Sequence, residues 1–384
     1  MVKTAFPRVI GLWAAGLGAA AQFGKMAVGF PYLSETYGSG VAVGFIVSLV
    51  GLVGVVFGVT AGLLVASVGF RRALVGALLL GAVMSAYQAS LPPIGLMLAS
   101  RALEGVSHLA IVVAAPTLIA QLSAARHRGL TLSLWSTFFG VAFAALVWLG
   151  DPLAQRYGIG AVLFAHATYM AAMAVVVAVM LPRDPPAPHV ALSFGGLLRD
   201  HVTIYQSPFL NAPALGWVCY AGAFVAILTI MPSFLPETIR ASVIGAMPLV
   251  GIACSMTLGV WLLRRGSAVA IIQTGFLLSL VLSGVLWVWP TSALPYLALA
   301  LALGLVQGAS FAAIAQLNPD PSAQAKANGA LAQMGNIGTT CGTPLLAALV
   351  AAWQITGFAI FAVVLFSAGA ALHAWMAHRR AACG

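Results

Sequence analysis

Three charged side chains and a histidine lie inside long apolar runs of the sequence, where they could bind an ion or carry a proton. They are Lys25, Arg101, Glu104 and His108. A charged side chain at the centre of a bilayer costs about 2.5 to 3.5 kcal/mol on insertion scales, so such residues are retained for a reason. Because Arg101, Glu104 and His108 are spaced by three and then four positions, they share one face of a helix.

The charge of this group predicts its ligand. Two cations, one carboxylate and one imidazole leave a net positive charge, which favours an anion, and best of all a carboxylate. Lys25 would lie about 9 Å and Arg101 about 10 Å below the outer membrane surface, at about 1.5 Å per helical residue. The alternative is structural. Arg101 and Glu104 would then pair within their helix, and Lys25 would extend its long stem to the membrane surface.

Glu104 is the predicted proton-coupling residue, because a carboxyl group in a low-dielectric site can take up a proton near neutral pH. An anionic solute would compete for Arg101 and so free Glu104 to accept that proton. His108 is the predicted second titrating group, since imidazole changes charge near physiological pH; its alternative is a packing role. His166 has no charged neighbour in the sequence and is expected to be a packing residue.

The elements that hold these residues are membrane spans. The chain has 384 residues, of which 62% are hydrophobic and only 6% charged, whereas soluble domains carry about 25% charged residues. A span needs about 20 apolar residues, and the runs do not alternate as barrel strands do. The twelve predicted spans are residues 9–31, 42–65, 73–91, 94–117, 130–150, 159–181, 209–235, 242–263, 268–289, 294–316, 328–351 and 356–377.

The net charge of +10 comes from short basic pairs between the spans, a pattern typical of the positive-inside rule and not of a nucleic-acid-binding surface. With both termini in the cytoplasm, thirteen basic residues face the inside and two face the outside. This predicts a multi-pass protein of the cell membrane. The inner residues are Lys3, Arg8, Arg71, Arg72, Arg126, Arg128, Arg183, Arg199, Arg264, Arg265, Lys326, Arg379 and Arg380, and the outer ones are Arg156 and Arg240.

The two halves of the chain repeat each other. Arg101 to Ser107 aligns with Gly304 to Ser310 at an offset of 203, and Gly129 aligns with Gly329 at an offset of 200. Parallel six-span halves around a central site are a known transporter design. The predicted domains are a six-helix bundle over 1–181, a cytoplasmic linker with an interfacial helix over 182–208, and a second bundle over 209–384.

The loop between spans 2 and 3 resembles the signature loop of the major facilitator superfamily. The matching residues are Gly62, Leu64, Gly69, Arg71 and Arg72. The family's acidic residue in this loop, which helps to hold the halves in one state, is replaced by Ala66. The resemblance therefore implies that this latch is weaker or built differently. It also implies that the two glycines and two arginines act as gate or topology residues.

Span 4 resembles the family's arginine motif through Arg101 and Gly105. The resemblance implies a carrier that works by alternating access, with span 1 and span 4 lining its cavity. The Gly-Pro motif typical of drug/proton antiporters is missing from span 5, where the corresponding stretch begins Phe139-Gly140. This disfavours drug efflux.

The second half offers polar but uncharged groups for a solute. Gln307 occupies the position that the repeat assigns to Glu104. Amide and aromatic side chains could supply hydrogen bonds and an aromatic wall, although polar residues also hold membrane helices together without any ligand. The further candidates are Gln22 in span 1, Trp135 in span 5, Trp217 and Tyr220 in span 7, and Gln333 and Asn336 in span 11.

These features predict a proton-coupled secondary transporter of a small anionic or carboxylate-bearing solute, working as a monomer in the lipid bilayer. The alternative is an exporter of amphipathic compounds such as drugs or siderophores. We expect no enzyme, no nucleic-acid partner and no cofactor. The four cysteines Cys219, Cys254, Cys341 and Cys383 lack metal-ligand spacing, so neither a metal nor a disulfide is expected.

Overall fold

The computed structural model describes residues 4–38, 40–58, 60–184 and 194–382. Within these ranges the regular structure is helical and contains no strand. The chain forms two compact units. The first comprises Met1–Gly38, Leu49–Gly54 and Thr60–Ala191, and the second Ser39–Ser48, Val55–Val59 and Leu192–Gly384. Two short segments in and beside predicted span 2, Ser39–Ser48 and Val55–Val59, thus belong to the second unit, although the predicted division placed them in the first bundle.

Nine helices in the described residues are long and apolar enough to cross a membrane. The last, Lys326–Ala381, has 56 residues and contains a break, so it accounts for two predicted spans. The helix Phe6–Val28 and the shorter apolar stretch Val41–Phe57 occupy the predicted first and second spans. The nine helices account for ten spans when the broken last helix is counted as two, and the two further elements make the total consistent with twelve spans.

The first unit is built from helices that begin at α1, Phe6–Val28. Apolar runs of 19 to 28 residues form its long members, since a helix satisfies every backbone hydrogen bond without water. Its other described helices are α2 (Phe30–Tyr37), α5 (Ala61–Val68), α6 (Phe70–Gln88), α7 (Ile94–Gln121), α8 (Ala125–Ser136), α9 (Phe138–Ala145), α10 (Asp151–Tyr157) and α11 (Ile159–Met180).

Span 2 is irregular and supplies helix segments to both units. It begins with α3 (Val41–Ser48), continues through a 3₁₀ turn at Leu49–Gly51, and ends its apolar stretch with α4 (Leu52–Phe57). Gly44 of α3 lies against Pro344, where a Cβ on the glycine would come within 2.7 Å of the proline Cα. This close approach requires a residue without a side chain.

The second unit contains a linker helix and six further spans. The linker helix α12, Phe194–Gln206, lies inside the predicted interfacial segment. Its Ile204 is buried in an apolar cluster with residues of three other helices, so α12 packs on the second unit. The remaining helices are α13 (Ala212–Ile230), α14 (Glu237–Cys254), α15 (Val260–Leu263), α16 (Ala268–Val288), α17 (Ala293–Leu317) and α18 (Pro321–Ala381).

Helix α18 holds the last two predicted spans. A straight helix of its 61 residues would be roughly 90 Å long, about three times the thickness of a bilayer core. Gln354 breaks it, with φ of 51° and ψ of −134°. Gly357 then lies against the Leu349 carbonyl, where a Cβ would approach within 2.1 Å. The break falls in the predicted gap between residues 351 and 356.

The apolar core of the first unit brings four helices together around the candidate site. Val9 and Leu12 of α1, Leu78 of α6, Ile111 of α7 and Met170 of α11 belong to one buried cluster. Burial of each such side chain contributes about 1.5 to 3 kcal/mol in water, although in lipid close packing supplies much of the gain. The four helices are therefore held side by side before any polar contact is counted.

Candidate functional site

Glu104 connects the two buried cations of the first unit. Lys25 Nζ donates to Glu104 Oε1 at 2.7 Å, and an Arg101 guanidinium nitrogen donates to Glu104 Oε2. The side chains of all three residues are 0% exposed. Lys25 therefore does not extend to the membrane surface, whereas the other part of the structural alternative, the pairing of Arg101 with Glu104 within one helix, is present. Two cations and one ionised carboxylate leave a formal charge of +1 in this triad.

Polar side chains of α6 complete the coordination of Lys25. Ser85 Oγ accepts from Lys25 Nζ at 2.6 Å, and Gln88 Oε1 accepts at 2.9 Å. The Gln88 amide also donates to Glu104 Oε2 at 2.8 Å, so one side chain bonds both the ammonium and the carboxylate. Sequence reasoning missed both residues. Their signal was two polar side chains three positions apart in an apolar span.

Hydrogen bonds between α1 and α7 fix the side chains of Arg101 and Gln22. Arg101 Nη2 donates to the Gln22 carbonyl oxygen at 2.7 Å, and Gln22 Nε2 donates to Ser107 Oγ at 2.8 Å. Gly81 of α6 leaves room for this contact, since a Cβ there would come within 2.8 Å of Gln22 Nε2. The amide oxygen Oε1 of Gln22 is buried and has no hydrogen-bond partner in the part of the chain that the structure describes. Gln22 therefore belongs to the same buried network as Arg101.

His166 joins the network, although the sequence suggested a packing residue. Its Nδ1 lies 2.8 Å from Ser85 Oγ and 3.3 Å from Lys25 Nζ, and its Nε2 lies 3.0 Å from the Gly18 carbonyl oxygen. The charged neighbour comes from another helix, 141 positions away in the chain. Periodicity within one helix could not reveal this contact.

His108 is buried beside the network, but its hydrogen bond goes elsewhere. Its Nδ1 lies 3.0 Å from the Ala19 carbonyl oxygen, and its ring packs edge-on against Phe23 with centroids 5.0 Å apart. No hydrogen bond among the described residues joins it to Glu104. Its proton-coupling role remains a prediction, with less support from geometry than the equivalent role for His166.

The predicted amide residues of the second unit differ from one another. Gln333 contacts three residues on two other helices: its Oε1 accepts from Tyr205 Oη at 2.6 Å, and its Nε2 donates to the Val55 carbonyl at 2.7 Å and lies 3.3 Å from His201 Nε2. It therefore fastens α12 to α18 and to the end of α4. Asn336 donates only to the Ala332 carbonyl one turn earlier, at 2.8 Å.

The predicted aromatic residues pack on one another within their own units. Trp217 stacks on Tyr220 with ring centroids 4.4 Å apart and meets Phe311 edge-on at 5.2 Å. Trp135 stacks on Phe138 at 4.4 Å, and it covers Gly16 of α1. Gln307 is half-buried on α17, and its side chain makes no hydrogen bond in the described residues. Solute contact by these residues remains a prediction.

The backbone of the predicted gate loop is hydrogen-bonded to Asp184, which lies in the segment after α11. Arg71 and Arg72 donate their backbone N–H groups to the two Asp184 carboxylate oxygens, each at 2.9 Å. The Arg71 guanidinium also donates to the Ala178 carbonyl at 2.6 Å. Gly69 has φ of 98°, and a Cβ there would come within 2.6 Å of Asp184. This position therefore requires glycine, whereas Gly62 has open space around it.

The sequence that carries this network matches a known family. The sequence profile described as the Major Facilitator Superfamily matches residues 9–321 of the chain. The chain belongs to the major facilitator superfamily. It is therefore a multi-pass membrane protein and a transporter, and the family predicted from the loop at Gly62 and from the Arg101 motif is confirmed.

Solved structures share the fold of this family member. A variant of the Escherichia coli fucose:proton symporter superposes with a TM-score of 0.66 at 17% identity, covering 97% of this chain and 98% of that one. A variant of a nucleoside transporter superposes with a TM-score of 0.72 at 14% identity, covering 97% and 99%. No curated protein sequence matches the chain significantly. At these identities the similarity establishes the fold and not the solute.

Proposed function

We propose that this transporter couples the movement of a small carboxylate-bearing solute to a proton. The observation that carries the proposal is the buried Glu104 carboxylate, which accepts from Lys25 and from Arg101 in a site with no exposed charge. Removing either partner from such a buried ion pair is strongly unfavourable, so a ligand that competes for Arg101 must change the state of Glu104.

Charge conservation supports coupling to one proton. The triad carries a formal charge of +1 in the structure, from two cations and one carboxylate. A solute carboxylate that bonds Arg101 adds one negative charge and takes the guanidinium from Glu104. If Glu104 then takes up one proton, the site returns to +1, and Lys25 keeps the uncharged acceptors Ser85 and Gln88. Neither ligand alone preserves this balance, because a buried unpaired charge is costly.

Reconstituted liposomes test the coupling. Uptake of labelled acetate, lactate, pyruvate, succinate and citrate is measured with and without an inward proton gradient. We expect the gradient to drive accumulation of at least one of them, and Glu104→Gln to reduce that accumulation by about tenfold or more while exchange continues. Glu237→Gln, which removes a carboxyl group at the start of α14, is the matched control.

The result can contradict the proposal in two ways. If Glu104→Gln still accumulates solute in response to the proton gradient, Glu104 is not the coupling group. If the wild-type protein moves none of the five compounds, the carboxylate class is wrong. A thermal-shift screen that includes siderophores and drugs then examines the exporter alternative, and loss of a hit in Arg101→Ala assigns that ligand to this site.

We also propose that the transporter works as a monomer. We infer that it lies in the cell membrane with both termini in the cytoplasm, because the distribution of basic residues between the predicted loops favours this orientation. A membrane-impermeant maleimide tests the orientation through Cys383 near the end of the chain. Labelling only after cells are made permeable supports it, with Cys383→Ser as the control. Labelling of intact cells contradicts it.

A further inference from the structure

The tautomer of His166 follows from its two hydrogen bonds. Its Nε2 lies 3.0 Å from the Gly18 carbonyl oxygen, which can only accept, so Nε2 carries the hydrogen. The neutral ring therefore has its lone pair on Nδ1. Nδ1 lies 2.8 Å from Ser85 Oγ. His166 as a whole is only 5% exposed to solvent. His166 thus presents a vacant proton site to the interior of the network.

The hydrogens of Lys25 are already placed. An ammonium group has three, and Ser85 Oγ, Gln88 Oε1 and Glu104 Oε1 accept them at 2.6, 2.9 and 2.7 Å. His166 Nδ1 is farther from Lys25 Nζ, at 3.3 Å. The donor to Nδ1 is therefore the hydroxyl of Ser85.

The Ser85 hydroxyl has two acceptors and one hydrogen. Glu104 Oε1 lies 3.2 Å from Ser85 Oγ, and His166 Nδ1 lies closer, at 2.8 Å. The hydroxyl can donate to the carboxylate or to the imidazole, but not to both at once. It therefore joins the only carboxyl group of the charged triad to a vacant ring nitrogen on a different helix.

We propose that the Ser85 hydroxyl passes a proton between Glu104 and His166, which makes His166 the second proton-holding group of the transporter. In this step the proton on Glu104 Oε1 moves to Ser85 Oγ, while Ser85 gives its own hydrogen to His166 Nδ1. The carboxyl O–H bond breaks and an imidazole N–H bond forms. Glu104 is then again a carboxylate that pairs with Lys25. The inference rests on the proposed coupling at Glu104.

The charged groups that face His166 all belong to the triad. Lys25 comes from α1, and Glu104 and Arg101 come from α7, while α6 contributes the uncharged Ser85 and Gln88. The carboxylate left by the transfer compensates part of the charge on the new imidazolium. His108 is placed differently, since its Nδ1 donates to the Ala19 carbonyl and its ring packs on Phe23.

Transport measurements separate coupling from a structural role. His166→Gln keeps an amide that can donate to Gly18 but cannot take up a proton. We expect it to lose about tenfold or more of the proton-driven accumulation of the labelled carboxylates, while exchange at equal pH stays within about twofold. Thr168→Val is the matched control, because the Thr168 hydroxyl donates only to the Phe164 carbonyl of the same helix. Ser85→Ala should resemble His166→Gln, and Ser85→Thr should restore activity.

A second measurement needs no solute. Nitrogen-15 NMR of histidine-labelled protein, with His166→Gln to identify the resonances, reports the tautomer of His166. We expect the Nε2–H form at neutral pH and a proton on Nδ1 after acidification. A hydrogen found on Nδ1 of the neutral ring overturns the inference, because the vacant proton site would not exist.

The outcomes distinguish this inference from the proposed function. Wild-type transport that ignores the proton gradient overturns both. If gradient-driven transport survives His166→Gln, only the role of His166 is overturned. The same holds if His108→Gln reduces that transport more than His166→Gln does. Equal loss of accumulation and exchange in a folded His166→Gln protein also overturns it, because that pattern indicates a structural role.

Discussion

The buried polar side chains around Lys25 in the first unit bond across helices, whereas many polar side chains in the second unit bond to the carbonyl one turn earlier on their own helix. Lys25 reaches residues of α6, α7 and α11. By contrast, Ser310 donates to Val306 and Asn336 to Ala332. In a cross-helix network each member bonds several others, so removal of one member leaves buried polar groups on other helices without a hydrogen-bond partner.

The largest effect should come from the residue at the centre of the first network. Glu104→Leu leaves Lys25 and Arg101 buried without a counter-charge, which costs about 3 to 5 kcal/mol of unfolding free energy. Gln307→Leu, at the repeat-equivalent position of the second unit, should change it by less than about 1 kcal/mol. Chemical unfolding in detergent measures both. Similar losses in the two variants would break the contrast between the units.

A double-mutant cycle sharpens the same contrast. Lys25→Met alone leaves Ser85, Gln88 and Glu104 without their shared donor. Because Lys25 and Glu104 stabilise each other, the double variant Lys25→Met with Glu104→Leu should cost about 1 to 3 kcal/mol less than the sum of the single variants. Additive losses would show that the pair is not coupled.

Gln333 is one of the second-unit side chains that bond across elements, and it should behave like a member of the first network. Gln333→Leu removes the contacts to Tyr205 and Val55, which should cost about 1 to 2 kcal/mol. Hydrogen exchange in Phe194–Gln206 should then accelerate about tenfold, since about 1.4 kcal/mol corresponds to that factor. Asn336→Leu is the matched control, and equal acceleration in it would assign the effect to α18 in general.

The smallest effect should come from Asp184, which lies at the edge of the first unit. Asp184→Asn keeps a hydrogen-bond acceptor for the N-terminus of α6 but removes the charge, which should cost about 0.3 to 1 kcal/mol. Addition of salt should reduce the difference from the wild type. If Asp184→Asn loses as much unfolding free energy as Glu104→Leu, burial of the cross-helix network does not explain why its variants lose the most stability.

Sequence patterns predicted the spans and the charged residues well, because both depend on local composition. The apolar runs match the long helices, and the gap between predicted spans 11 and 12 contains the break at Gln354. Charge inside an apolar run identified Lys25, Arg101 and Glu104 directly. The predicted linker is described only in part, since residues 185–193 lie outside the described ranges, but a helix is present at Phe194–Gln206.

The partners of these residues could not be predicted in the same way. Ser85 and Gln88 look like ordinary polar residues of a span, and His166 has only apolar and small neighbours along the chain. The two amides of span 11 also differ, since Gln333 bonds residues of α12 and α4, whereas Asn336 bonds its own helix. No periodicity distinguishes the two.

The sequence by itself determined which side chains are buried in apolar helices and which of them share a face, because helical geometry repeats every 3.6 residues. The tertiary structure alone decided that Lys25 meets residues 60 to 141 positions away. Those contacts depend on how α1, α6, α7 and α11 pack, and packing is set by the shapes of many apolar side chains together.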